Sequence, residues 1–319
     1  MNINPTFKRL AVLSMAIASA LLSSCDNKQS TEKQTSESED AHSKKIGVLL
    51  VSHGSHSKNW RRMLRATQTD VEKDVLKGGK VSGIKTAFME YTEPTIATQL
   101  KAFDDDGYTD VIIVPLLLTV SSHSFDDIPI IAGLRECASK EEELRLESIA
   151  VYKAKAKVVL TPLLDFTTVL EKNVVRRAKA MSKNPSEEGL VLVAYGSTPY
   201  NKEWEILMGK LEKTVKKETG IDVLNYSWCG HIVHYKLEPT MKAINTTLEK
   251  KKKALVIPIL VAVDENFQGR IIGGAIEKVN KGEQIVYRHD AILPDPDISQ
   301  WIMDISAEYA EKAHKEASK

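Results

Sequence analysis

Three short stretches recur in the same order along this chain, and no other feature constrains its architecture as tightly. His53-Gly54-Ser55 returns as Tyr195-Gly196-Ser197, Glu93-Pro94-Thr95 as Glu238-Pro239-Thr240, and Pro115 as Pro258, at offsets of 142, 145 and 143 residues. Such near-constant spacing, with only small insertions between the copies, indicates a duplicated domain. Within each copy short β-branched apolar runs alternate with amphipathic segments. Strands are expected over 45–52, 84–90, 109–120 and 144–152, with helices over 57–77, 93–107, 126–143 and 161–183, the last closing the first half. The order then repeats, with strands over 189–197, 221–228, 253–263 and 283–289 and helices over 202–220, 238–251, 269–282 and 298–316. Strands apolar on both faces and separated by helices belong to a parallel sheet covered on both sides. The expected fold class is therefore α/β: two duplicated domains, 46–184 and 185–319, each a parallel sheet flanked by helices. The linker-like Met-Ser-Lys-Asn-Pro-Ser-Glu-Glu at 181–188 divides them.

The first residues read as an address. Lys8 and Arg9 precede an apolar stretch too short to span a bilayer, which ends in Leu22-Ser23-Ser24-Cys25. That ending resembles a bacterial lipobox, which implies a signal peptide over 1–24, lipidation at Cys25 and export to a bacterial membrane, facing the periplasm or the exterior. Residues 25–45 are rich in Ser, Glu, Lys and Thr and offer almost nothing to bury, so a disordered tether is expected there. Without residues 1–24 the chain carries 42 basic against 43 acidic side chains, and no global field favours nucleic acid. Two cysteines then remain, Cys137 and Cys229, with no Cys-x-x-Cys spacing that would suit zinc or an iron–sulfur cluster. A disulfide and two separate thiols both stay open.

Ligands of open α/β sheets bind beyond the carboxyl ends of the strands. In the first half those ends carry His53-Gly54-Ser55-His56, Glu90-Tyr91-Thr92-Glu93 and Ser121-Ser122-His123. Three strands thus deliver His, Glu and His to one sheet edge, a donor set suited to a borderline divalent ion. A histidine that merely caps a loop is the alternative for each one singly. His56 is the weaker candidate, and His42 and His314 fall in the tether and the terminal helix. In the second half Tyr195 stands where His53 does, and Val-Asp-Glu-Asn-Phe-Gln-Gly replaces the segment around His123. His231 and His234 either line the cleft or are ordinary core or surface residues. Lys58, Arg61 and Arg62 open the helix after His53, either as a solvated face or as partners for an anionic substrate. Neither half holds a Gly-x-Gly-x-x-Gly or P-loop, so no nucleotide is expected, and neither Ser55 nor Ser197 has a nucleophile-elbow sequence around it.

Val-Leu-Leu-Val-Ser-His-Gly-Ser-His, Phe-Met-Glu-Tyr-Thr-Glu-Pro and Val-Pro-Leu-Leu-Leu-Thr-Val-Ser-Ser-His-Ser-Phe-Asp-Asp-Ile-Pro resemble, in order and spacing, the class II tetrapyrrole chelatases. These are the sirohydrochlorin cobalt-, nickel- and ferrochelatases of the CbiX and CbiK type, known from cobalamin biosynthesis. The resemblance implies a lyase that inserts Co²⁺, or Ni²⁺ or Fe²⁺, into sirohydrochlorin or a related tetrapyrrole without ATP, in a cleft between two halves of which one keeps the active histidines. By position it implies that His53 and His123 hold the metal and accept protons, with Glu90 assisting and Glu93 beside it. Ser55, Lys58, Arg61, Arg62, Tyr195, His231 and His234 are then the substrate-facing candidates. This chain carries Ser121-Ser122 before His123 where many members have a glycine-bearing turn. Export fits poorly with cytoplasmic sirohydrochlorin synthesis, so a non-enzymatic haem-binding, tetrapyrrole-binding or metal-delivery lipoprotein on the same fold is a second expectation.

Overall fold

The computed structural model describes residues 44–317. The expected leader, Cys25 and nearly all of the tether lie outside the described residues. Among the described residues no helix is long and apolar enough to cross a membrane.

Each half builds one four-stranded, all-parallel sheet. In the first, β1 (Ile46–Ser52), β2 (Gly83–Phe88), β3 (Asp110–Pro115) and β4 (Lys157–Leu160) lie in the order β2-β1-β3-β4. In the second, β5 (Glu188–Ala194), β6 (Leu224–Trp228), β7 (Lys253–Ile259) and β8 (Ile285–Tyr287) repeat it as β6-β5-β7-β8. The central strands β1, β3 and β5 are buried along their whole length, and β7 is buried after its exposed first residue, Lys253. Alternate residues serve opposite faces: Ile46, Val48 and Leu50 enter one core cluster while Leu49 and Val51 enter another.

The helices of the first half are α1 (Lys58–Leu76), α2 (Ile96–Asp105), α3 (Ile128–Ile131), α4 (Ala138–Leu146) and α5 (Val169–Met181). Those of the second are α6 (Asn201–Thr219), α7 (Glu238–Leu248), α8 (Gly274–Val279) and α9 (Pro296–Ala317). Leu64 and Val71 of α1, Leu170 and Val174 of α5, Leu207 and Leu211 of α6 and Ile302 and Ile305 of α9 share one core with residues of both sheets. These four helices form a common layer between the sheets. The outer faces are covered separately, by Ile96, Leu100 and Phe103 of α2 on one side and Ala243 and Ile244 of α7 on the other.

The terminal helices of the two halves are exchanged. Helix α5 was expected to close the first half, yet it packs on α6 and β7. Its Arg177 donates to the Pro258 carbonyl at 2.8 Å, and Asn173 donates to the Ile292 carbonyl at 3.1 Å and to Asp295 at 2.7 Å. Helix α9, the last of the second half, packs on α1 and β3 of the first.

Several expected bounds are corrected: the third strand ends at Pro115 rather than at 120, and the helix expected over 161–183 begins at Val169. The fourth strand is not 144–152 but Lys157–Leu160, paired with Asp110–Ile113 of β3. Residues up to Leu146 continue α4 instead, because Glu-Glu-Glu-Leu-Arg-Leu is a run of straight-chain helix formers. The single helix expected over 126–143 is broken into α3 and α4 at Gly133. With φ +68°, a Cβ there would stand 2.7 Å from the Lys153 backbone, so a left-handed turn is set where only glycine fits. As to the thiols, no disulfide joins Cys137 and Cys229. Cys229 is fully buried, which pushes its thiol up to about 12.

Candidate metal centre

The order β2-β1-β3-β4 places a topological switch point between β1 and β3, where crossovers leave in opposite directions and open a crevice. Residues that follow three adjacent strands meet there, His53 and Glu90 within two residues of the ends of β1 and β2 and His123 eight residues beyond the end of β3 at Pro115. Val51 pairs with Ala87 and with Pro115, so the three strands end nearly level. Beyond the strand proper, the Glu90 amide donates to the His53 carbonyl at 3.1 Å and the Met89 amide to the Ser52 carbonyl at 2.8 Å, which holds Glu90 alongside His53. Gly54 then turns the chain with φ +94°, and a Cβ on it would meet the Glu90 carbonyl at 2.0 Å.

His53 Nε2 lies 3.2 Å from His123 Nε2 and 2.9 Å from Glu90 Oε1. The ligand atoms of these three half-buried side chains fall within 4.8 Å of one another, the one group of three or more His, Cys, Asp or Glu among the described residues that could hold a metal ion. The outer nitrogens are engaged elsewhere. His53 Nδ1 is 3.1 Å from the Gly54 carbonyl and His123 Nδ1 is 2.7 Å from Asp127 Oδ2. A carbonyl and a carboxylate only accept, so each Nδ1 carries the proton and each Nε2 turns a lone pair inward. Two lone pairs and a carboxylate that face one another repel unless a cation lies between them. Burial disfavours charge on His53, but the hydrogen bond and charge of Glu90 outweigh it and raise the imidazole above its ordinary value of 6.5, so a cation, whether proton or metal, is favoured there. Burial likewise opposes ionisation of Glu90, and His53, assisted by His123, holds it below the usual carboxylate value.

Glu93, expected as a companion ligand, is not part of this group. Its Oε2 accepts from the Thr95 amide at 2.7 Å at the start of α2. Ser55 accepts from the Ser57 amide at 2.9 Å and donates to Asp264 of the second half, while Arg61 donates to the Ser55 carbonyl at 2.7 Å. Both therefore fix the loop that carries His53. Lys58, Arg62 and His56 are exposed at the start of α1 or just before it. The Ser121-Ser122 turn is closed reciprocally: the Ser121 amide donates to Ser124 Oγ at 2.9 Å and the Ser124 amide to Ser121 Oγ at 3.4 Å.

The second half shows the same backbone with a different lining. The Cys229 amide donates to Ala194 and the Gly230 amide to Tyr195, as Met89 and Glu90 do to Ser52 and His53. Gly230 therefore stands where Glu90 does. Tyr195 packs edge-on against Phe267 at 5.5 Å between centroids, as His53 does against His123 at 4.6 Å. Tyr and Gly thus stand where His and Glu do, and the 143-residue offset set by Pro115 and Pro258 brings Asn266, next to Phe267, in line with His123. Gly230 precedes Glu238-Pro239 by eight residues, whereas Glu90 precedes Glu93-Pro94 by three. The five extra residues supply His231 and Tyr235, whose hydroxyl is 2.9 Å from His231 Nε2 and 3.4 Å from Tyr195 Oη. His231 and His234 are both exposed. Burial, then the Tyr235 hydroxyl, drive Tyr195 far above the usual phenol value, so it stays neutral.

The two linings face one another. Besides Ser55 to Asp264, Ser57 donates to the Val263 carbonyl at 3.4 Å, and Tyr91, whose ring lies 5.9 Å from that of His53, is within electrostatic reach of Tyr195 and Tyr235. The sequence reading missed Tyr91, Tyr235, Phe267 and Asp127. Only Asp127 left a signal, four residues after His123 in His-Ser-Phe-Asp-Asp.

Comparison with known proteins decides which family this geometry belongs to. Residues 47–181 match the CbiX family. The sirohydrochlorin cobaltochelatase of Methanococcoides burtonii is 35% identical over 92 residues, which are 29% of this chain and 67% of that protein. The chain belongs to the sirohydrochlorin chelatase family. The sirohydrochlorin cobaltochelatase of Methanopyrus kandleri is 30% identical, but the matched stretch is only 28% of this chain and 59% of that protein. For the sirohydrochlorin ferrochelatase of Bacillus subtilis the identity is 33% and the shares are 27% and 31%. Among solved structures, SirB from Bacillus subtilis with Fe³⁺ superposes with a TM-score of 0.63 over 85% of this chain and 98% of that one. The cobalt complex of SirB from Bacillus subtilis subspecies spizizenii gives 0.60 over 85% and 97%. At 18% and 17% identity these are likenesses of fold. They extend the sirohydrochlorin chelatase architecture over both halves of the chain, beyond the stretch that the sequence matches cover.

Proposed function

We propose that this sirohydrochlorin chelatase family member inserts a divalent metal into sirohydrochlorin or a closely related tetrapyrrole, without a nucleotide. One observation carries the reading: two imidazole Nε2 atoms 3.2 Å apart beside a carboxylate, at the mouth of a cleft walled by aromatic rings. In the reaction the free-base macrocycle loses two pyrrole protons while the metal moves from the protein onto the ring nitrogens. His53, His123 and Glu90 hold the incoming ion through two neutral nitrogens and one anionic oxygen, few enough ligands to release it. Once the ion departs, the same three groups accept protons, and the neighbouring Glu90 carboxylate favours the protonated form of His53. Tyr91 on one wall and Tyr195, Tyr235 and Phe267 on the other offer flat apolar surface to the ring faces. In this reading the exposed Lys58 and Arg62, near the start of α1 after the His53 loop, pair with its carboxylates.

Cobalt is the favoured metal in this reading, because the cobaltochelatases of Methanococcoides burtonii and Methanopyrus kandleri are among the relatives; Fe²⁺ and Ni²⁺ suit the same donors. The deciding experiment mixes the purified chain lacking residues 1–24 with sirohydrochlorin and each metal and follows the absorption spectrum. A metal-dependent change to the metallated spectrum supports insertion. An unchanged spectrum rejects it.

The lipobox-like Leu22-Ser23-Ser24-Cys25 favours a second reading, an exported lipoprotein that binds a tetrapyrrole or delivers metal without turnover. Palmitate labelling of the wild type and Cys25→Ala in a bacterial host tests the anchor. A tetrapyrrole that co-purifies, or metal retained with no spectral change, separates the two forms of that reading.

A further inference from the structure

His123 opens a π-helical turn, His123–Asp127, which leads into α3. On a helical turn side chains four apart lie on one face. Asp127 Oδ2 thereby reaches 2.7 Å from His123 Nδ1. The other oxygen, Oδ1, lies 3.2 Å from Lys140 Nζ on the neighbouring α4, and Lys140 is also 3.0 Å from Glu143. The Asp127 side chain is 6% exposed, and a carboxylate so buried needs compensation, which Lys140 supplies on one side and the imidazole N–H on the other. Burial alone would raise the Asp127 carboxyl, but His123 and Lys140 together hold it below its ordinary value.

We propose that Asp127 and Lys140 form a positioning pair for the metal site, an inference that rests on reading His53, His123 and Glu90 as metal ligands. Asp127 fixes His123 as the Nδ1–H tautomer with the Nε2 lone pair turned toward His53. Lys140 pairs by charge with the second carboxylate oxygen, which has no hydrogen-bond partner, and keeps the group on the imidazole, so that it does not swing round to compete for the ion. The two histidines then differ by design of their supports. His53 is held by a neutral carbonyl, His123 by a full negative charge, which makes His123 the better electron donor of the two. Lys140 comes from α4, so this support crosses from the π turn to a separate helix and is rigid in two directions.

The test uses the chain lacking residues 1–24, labelled with ¹⁵N-histidine, first metal-free and then titrated with Co²⁺ alone. In the wild type His123 should show the Nδ1–H tautomer. Asp127→Ala should shift it toward Nε2–H and weaken Co²⁺ binding by about 10- to 100-fold. Asp127→Glu should recover part of the affinity, and Lys140→Met should give a smaller loss with the tautomer kept. If Asp127→Ala does not fold, Asp127→Asn and Lys140→Met carry the same comparison. An Nε2–H tautomer in the wild type, or wild-type tautomer and affinity in the Asp127 variants, overturns the proposal. His53→Ala and His123→Ala serve as controls: if they too leave Co²⁺ affinity unchanged, the metal-site reading fails, while the tautomer still decides the positioning role.

Discussion

A Cβ built on Gly230 would stand 2.7 Å from the Tyr195 carbonyl oxygen and 2.9 Å from its ring, so Tyr195 closes the position that Glu90 occupies in the first half. The second half did not simply lose its ligands; its aromatic ring excludes a carboxylate at that point. Gly230→Ala is therefore expected to destabilise the protein by about 1–3 kcal/mol through overpacking, seen as a lower denaturant midpoint. Pairing it with Tyr195→Ala should recover part of that loss and create no second metal site, as Co²⁺ stoichiometry would show.

Removing both histidines tests the centre directly. His53→Ala with His123→Ala should abolish Co²⁺ binding and insertion together and leave the circular dichroism spectrum unchanged, since both side chains are only half-buried and end in the crevice. Retained insertion in the double variant would refute the assignment.

Acid should compete with the metal. The imidazole of His53 is raised above 6.5, so below its pKa the incoming ion must displace a proton from the Nε2 that it needs. Affinity for Co²⁺ should fall by about tenfold per pH unit in that range and level off above it. Glu90→Gln removes the group that raises His53, so the fall should begin at lower pH, as calorimetric titrations at several pH values would show.

Tyr91 separates ring binding from metal binding. It is 57% exposed with φ +65°, an uncommon conformation for a tyrosine, and its ring lies 5.9 Å from His53. Tyr91→Ala should raise KM for the tetrapyrrole several-fold while Co²⁺ affinity in the absence of tetrapyrrole stays near wild type. A loss of metal affinity of the same size would place Tyr91 in the metal centre instead.

The exchange of α5 and α9 ties the halves together. Expressed alone, residues 46–184 should expose Leu170, Val174 and the α1 face that Ile302 and Ile305 cover, bind hydrophobic dyes and aggregate. Co-expression with residues 185–319 should restore solubility and metal binding. Two independently soluble halves would argue against a shared core.

Much of this was legible from the chain. Strands such as Ile46–Ser52 are apolar throughout, and the duplicated turns at Gly54 and Gly196 marked equivalent strand ends. Hence the sheets and the convergence of His53, Glu90 and His123 followed from local pattern and the rule for open α/β sheets. The failures were long-range. Lys157–Leu160 is four residues long and begins on a lysine, so no period announces it as a strand. Nothing in Val169–Met181 says which sheet it will cover, because an amphipathic face fits either partner. Glu90 and Glu93 look alike in sequence, and only the Thr95 amide, exposed at a helix start, draws Glu93 away. Lys140 reaches Asp127 through a helix whose end was read as a strand.

All eight strands run parallel to their sheet neighbours, so in the first sheet the chain enters at Ile46 and the His53 crevice opens at the far end of β1, about 20 Å away along seven residues. If Cys25 carries the proposed lipid, the link to the membrane joins the domain at the end of β1 opposite the crevice, and leaves the crevice open to water. A guest would then arrive from solution rather than from the bilayer, which suits a polycarboxylated, water-loving macrocycle better than a greasy porphyrin dissolved among acyl chains.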